Sequence, residues 1–122
     1  MQLADDTIRA WLEAHPGATG APLPSARGVT IYKVMDRMFA ILSPRPTRAV
    51  ILKCDRHLVE ILREQYAGVG ARGHLDRRFW ICVELDADVP AEEIERLVGL
   101  SYVLVRAGLT RRQRAELDAL PA

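Results

Sequence analysis

Three strand-forming runs follow one another with very little chain between them, and that narrows the possible folds more than anything else in the sequence. "VTIYKV" spans Val29 to Val34, "MFAIL" spans Met38 to Leu42, and "RAVILKC" spans Arg48 to Cys54. All three are rich in β-branched or aromatic residues. A short turn at Asp36-Arg37 and the breaker "SPRPT" separate them. Connections this short favour antiparallel neighbours, because parallel strands need a crossover of a dozen or more residues. A further run, "FWICVEL" from Phe79 to Leu85, alternates: Phe79, Ile81, Val83 and Leu85 share one face, and Trp80, Cys82 and Glu84 the other.

Helical patterns surround these strands. Leu3, Ile8, Trp11 and Leu12 form a first stripe, stopped by "HPG" at His15 to Gly17, where Pro16 disfavours helical geometry at His15. The turn-rich "GATGAPLPSARG", Gly17 to Gly28, reads as a loop. Asp55 is placed to cap a second helix with the stripe Leu58, Ile61, Leu62 and Tyr66, ended by "AGVGARG". Pro90 opens a third helix, with Glu92 and Glu93 in its first turn and Ile94, Leu97, Val98, Ser101, Tyr102 and Val105 on one face. Gly108 ends it, and Thr110 with Gln113 predicts a capping box for a short last helix carrying Arg111, Arg112 and Arg114. The order is helix, three strands, helix, one or two strands, helix, helix. It predicts an α+β fold with a mostly antiparallel sheet and helices on one side.

At 122 residues the chain is expected to form one domain, spanning residues 1–122. A composition 49% hydrophobic and 27% charged suits a globular protein. No apolar run approaches the ~20 residues of a membrane span. Asp5 and Asp6 stand where a signal peptide would need its apolar core, so a cytoplasmic location is expected. Cys54 and Cys82 lie in or at the ends of apolar runs and read as buried, reduced thiols. They form no Cys-x-x-Cys pair and no zinc-spaced Cys/His cluster. No metal or cofactor is expected. No Gly-x-Ser-x-Gly elbow, phosphate-cradling glycine loop or His-Glu-x-x-His is present, so enzymatic activity is not expected either.

The residues that invite a functional reading lie in "RGHLDRRFW". Arg72, His74, Arg77 and Arg78 form a positive cluster broken by Asp76. If Leu75 to Arg78 is a hairpin turn, these side chains fan out from a wing, arginine forks suit phosphate oxygens, and Trp80 is placed to stack. The plainer reading is a solvated turn, with Trp80 packed on the second face of the sheet. Lys33, Arg37, Lys53 and Arg56 form a second, scattered set, in which the Lys53 stem also suits covering apolar surface. Glu84, Asp86, Asp88, Glu92, Glu93 and Glu95 follow the wing without a basic residue until Arg96, so the molecule is electrically polarised. The net charge of +1 lacks the strong basic excess of dedicated nucleic-acid domains, and polarisation suits a protein partner too.

"KVMDRMFAIL", "ILKCD", "GHLDRRFW", "DVP" with its helix, and "SYVLVRAGL" come in an order and spacing that resemble the MmcQ/YjbR-like family, over Leu12 to Leu117. The resemblance implies an α+β domain ordered helix–three strands–helix–two strands–helix, with a short strand around Gly73 to Leu75 pairing with Phe79 to Leu85. It also implies DNA binding through a double-wing arrangement. Carried over by position, the family's lysine-methionine-phenylalanine falls on Arg37, Met38 and Phe39, its lysine before cysteine-aspartate on Lys53, its wing histidine on His74, its tryptophan on Trp80, and its serine-tyrosine on Ser101 and Tyr102. The chain departs from that pattern at Gly73, Asp76-Arg77, Phe79 and Leu23-Pro24-Ser25. The expected nucleic-acid contacts are therefore Arg72, His74, Arg77, Arg78, Trp80, Lys53 and Arg37. The alternative is a protein-interaction or small-ligand module, using the polarised surface or a pocket of His74, Trp80 and Tyr102.

Overall fold

A computed structural model describes residues 3–121 of the chain. The predicted runs become α1 (Asp5–Glu13), β1 (Ala18–Pro22), β2 (Thr30–Val34), β3 (Arg37–Ser43), β4 (Ala49–Lys53), α2 (Arg56–Gln65), β5 (Val69–Gly70), β6 (Trp80–Glu84), α3 (Ala91–Ala107) and α4 (Arg111–Asp118). The strands form one sheet in the order β1-β2-β3-β4-β6-β5, with every neighbouring pair antiparallel. This is the α+β architecture that the short connections demand.

One face of the sheet is closed by the helices. Ile8 and Leu12 of α1, Val59 and Leu62 of α2, Leu117 of α4 and the whole predicted stripe of α3 enter one core with Tyr32, Val34, Leu52, Ile81 and Val83. Side-chain caps start two of the helices at the residues expected to cap them. Asp55 accepts the His57 N–H at 3.0 Å, and Thr110 with Gln113 forms the full capping box. Ile61, expected on the α2 stripe, is instead 56% exposed, and Val59 takes its place in the core.

Two loop readings are corrected. The segment from Gly17 to Gly28 contains β1, an edge strand of alanine, glycine, threonine and proline. It carries no apolar alternation because most of it faces solvent. The short strand paired with β6 lies at Val69–Gly70, not at Gly73 to Leu75, so the basic segment between β5 and β6 is not a projecting hairpin. The β2–β3 turn sits at Met35-Asp36, where both residues take positive φ (48° and 65°), the twist that a two-residue hairpin requires.

A β-bulge sets the geometry of the middle of the sheet. Tyr32 opposes Ala40 while Lys33 opposes Met38, leaving Phe39 as the extra residue of β3. Phe39 and Ala40 therefore both turn towards the helices, and Phe39 lies edge-on to Tyr102 and His15. The β3–β4 ladder ends at Ala40–Leu52. Just beyond it, the fully buried Ser101 of α3 inserts its hydroxyl, accepting the Lys53 N–H at 2.9 Å and donating to the Phe39 carbonyl at 2.5 Å.

Candidate functional site

The face of the sheet without helices carries two cross-strand rows. In the first, Ala21, Ile31, Ile41, Ile51, Cys82 and Gly70 oppose one another in turn, crossing all six strands. Ile51 and Cys82 are buried at one end, whereas Ile31 and Ile41 are half-buried at the other. In the second, Thr19 opposes Lys33, Lys33 opposes Met38, and Lys53 opposes Trp80. The bulge brings Met38 beside Lys53, and at this end of the sheet Arg37, Met38, Lys53 and Trp80 meet Val105 and Gly108 at the end of α3 around a cleft of about 260 Å³. Lys53 and Trp80 also line a larger cleft of about 470 Å³ with Arg56, His57 and Phe79, a cleft that Asp55, Asp76 and Leu104 of α3 line as well, so its charge is mixed. The Lys53–Trp80 pair is thus a ridge shared by two clefts, one lined also by Arg37 and the other by Arg56. Among the described residues Arg37, Lys53 and Arg56 have no ion-pair partner.

The basic segment after β5 folds back over this face. Leu75 packs against Ala49, Ile51 and Cys82. At one end the Arg72 guanidinium donates to Ser43 Oγ at 3.2 Å and to the Arg45 carbonyl, and it lies 4.0 Å from Cys82 Sγ. Arg45 in turn donates to the Arg27 carbonyl. At the other end Arg63 of α2 donates to the Arg77 carbonyl at 2.8 Å. The segment is a strap across the β4–β6 half of the face, leaving the β2–β3 half open.

The residues expected to contact nucleic acid therefore separate into three groups. Arg37, Lys53 and Trp80 converge on the clefts. Arg72 and Arg78 are engaged within the chain. Arg78 forks onto Asp76 at 2.8 and 3.1 Å and lies over the Phe79 ring at 5.4 Å. That fork, with the Arg78 N–H, holds the Asp76 carboxyl down at about 2. His74 and Arg77 stay exposed on the strap. Arg56, read from the sequence only as part of a scattered basic set, and Met38, carried over from the family motif without a contact role, join the site. Met38 was hidden by the bulge, which no periodicity reveals.

Other groupings expected from the sequence do not meet. Tyr102 lies on the helix side, stacked on His15 at 4.8 Å and donating its hydroxyl to the Pro16 carbonyl at 2.6 Å, so the pocket of His74, Trp80 and Tyr102 does not form. Ser101 is engaged by the sheet, and burial pushes the Cys54 and Cys82 thiols up, Cys54 to about 11. Most of the acidic run is also engaged. Glu84 accepts from Thr47, Asp86 from Arg48, Asp88 from the Ala67 and Gly68 N–H groups, and Glu93 from Arg96. Among the described residues no three metal-ligating side chains gather, and no helix is long and apolar enough to cross a membrane.

Fold and site together define a class: a small α+β protein with helices on one face of an antiparallel sheet and a half-strapped, basic and aromatic strip on the other. Within it, this chain belongs to the YjbR family, whose model matches residues 13–104. It is 39% identical over 74 residues to the YjbR protein of Escherichia coli K12, described as uncharacterised, and to that of Escherichia coli O157:H7. The match takes in 60% of this chain and 63% of those relatives' length. Among solved structures it is similar to Deinococcus radiodurans protein DR2400, a DUF419 domain, with a TM-score of 0.85 and 30% identity over 99% of this chain and 91% of that one. A structural-genomics target from Pseudomonas syringae shares the fold, with a TM-score of 0.70 and 19% identity over 84% of this chain and 98% of that one.

Proposed function

We propose that the chain is a DNA-binding protein whose contact is weak, mostly electrostatic and centred on the Lys53–Trp80 ridge. The observation that carries this reading is the convergence of Arg37, Lys53 and Arg56, none of them ion-paired among the described residues, on clefts edged by a half-buried tryptophan. Arg37 and Lys53 are available to neutralise phosphates, Arg56 less so because the Asp76 carboxylate already lies within its field, and the aromatic ring adds apolar contact. His74 and Arg77 extend the contact along the strap. Arg72 and Arg78 support it indirectly, Arg72 by holding the strap down and Arg78 by fixing its turn through Asp76.

With about three or four phosphates neutralised, log K falls by roughly 0.9 per phosphate against log salt. Fluorescence anisotropy with a labelled oligonucleotide at two salt concentrations tests this, comparing wild type with Arg37→Ala/Lys53→Ala. Binding at low salt that collapses in the double variant supports the reading. No binding at low salt, or equal binding by the double variant, overturns it.

A second reading has its own support. An apolar cleft of about 270 Å³ between α2 and α3, lined by Leu58, Leu100, Val103 and Leu104, lies beside Lys53, and Val103 is 59% exposed. It suits a protein partner. A partner captured from nuclease-treated lysate and lost on Val103→Glu would favour it.

A further inference from the structure

We infer that the helix-free face is built for single-stranded DNA, laid along the row of Lys33, Met38, Lys53 and Trp80 with its bases against the sheet. This rests on the DNA-binding reading and deepens it.

The arrangement of the face carries the inference. Duplex is usually read by an element that protrudes: a helix or a two-stranded ribbon enters the major groove and reaches base edges. Here the basic segment between β5 and β6 is tied down, with Leu75 against the sheet, Arg72 on Ser43 and Arg45, and Arg63 holding the Arg77 carbonyl, and the exposed arginines of α4 stand on a helix of only eight residues with Arg112 paired to Glu116. What stays open is a sheet face whose cations and apolar side chains alternate. Lys33 is exposed with half-buried Met38, Ile31 and Ile41 around it, and half-buried Trp80, beside Lys53, stands three strands away. A duplex hides the faces of its bases in its own stack. A single strand offers those faces to Trp80 and the aliphatic row while its phosphates reach Lys33 and Lys53; Arg37, opposite Val34, lies round the end of the sheet.

Charge also selects against a second copy of this chain. Two such faces packed on each other would bring Lys33 and Lys53 against like charges. It also sets the path of the strand. Glu84, facing Ala49 across the ladder, stands at one margin and Asp55 and Asp76 line the cleft at the other, so the backbone runs between them past Lys33 and Lys53.

The test is anisotropy and tryptophan fluorescence with an oligothymidylate of about 12 nucleotides, within the site sizes of sheet-based binders, against a duplex of equal length in the same low-salt buffer. The expected result has four parts: at least tenfold tighter binding of the single strand; quenching of tryptophan emission that is lost in Trp80→Phe; a further loss in Trp80→Ala of about fivefold or more, as one stacked base predicts; and weakened binding by the surface variant Lys33→Glu, which leaves the core untouched. Duplex bound as tightly as single strand, or binding indifferent to both Trp80→Phe and Lys33→Glu, overturns this inference and leaves the DNA-binding reading standing. A dimer that competes with the oligonucleotide for the face also overturns it. Failure to bind either oligonucleotide overturns both.

Discussion

Ser101 shows how far a single hydroxyl reaches. It has one proton to give and lone pairs to accept with, and both capacities are used on backbone groups of two different strands. Ser101→Ala strands the Lys53 N–H and the Phe39 carbonyl in a dry interior. We expect a loss of about 2–4 kcal/mol from two unsatisfied groups, read as a lower urea midpoint with unchanged slope. His15 is a residue whose charge the fold resists. Partly buried against Tyr102 and Phe39, its imidazole is held below its ordinary value of 6.5 by desolvation. Between the folded and unfolded values the unfolded chain binds more protons, so stability rises with pH there. The contribution is complete above about 6.5 and is lost as pH falls through the lower folded value. Thermal melts at pH 7.5 and 5.0, a window above the carboxylate range, should show a larger drop for wild type than for His15→Phe. The sequence marked Ser101 and Tyr102 as a pair on the inward face of α3. It did not show what they touch, because their partners come from segments 48 to 86 residues away.

At the scale of elements, what was legible in the sequence is what repeats locally. β2, β3, β4 and β6, all four helices and both side-chain caps follow from alternation, helical stripes and capping residues. β1 was not legible, since an edge strand with "ATGAP" has neither alternation nor β-branched bulk beyond one threonine. Its place is set from across the ladder, where Gly20 opposes Tyr32 and a Cβ there would lie 2.6 Å from the tyrosine ring. Gly20→Ala should push the ring aside, weaken the Arg9–Tyr32 hydrogen bond and cost about 1–3 kcal/mol in urea unfolding, as overpacking does. The strap escaped for the opposite reason. Its composition resembles a solvated hairpin, and only Leu75 on the sheet and the Arg72 and Arg63 anchors turn it inward. The candidate site was half legible on the same grounds: Lys53, Trp80 and Arg37 stood out as residue types, while the rows that join them depend on register and a bulge.

For the whole molecule, the two sheet faces are built on different principles. The helix side is a continuous apolar core, and the opposite side is a thin layer of side chains held under two arginine anchors. Arg48 gathers distant parts of the chain, donating to Asp5, Asp86 and the Leu3 carbonyl, so α1 and the β6–α3 loop sit on one guanidinium. The serine inserted at the end of the β3–β4 ladder links the two sides. An amide bonded within a sheet exchanges its hydrogen when the strands part. The Lys53 amide has its acceptor on a helix, so it exchanges when the helical layer lifts. We expect its deuterium uptake to follow that of the α3 core amides, and in Ser101→Ala to become fast while the β3–β4 ladder amides stay protected. Because Lys53 is also the ridge of the proposed interface, that one amide would report, in a single experiment, whether loading the open face tightens the helices behind it.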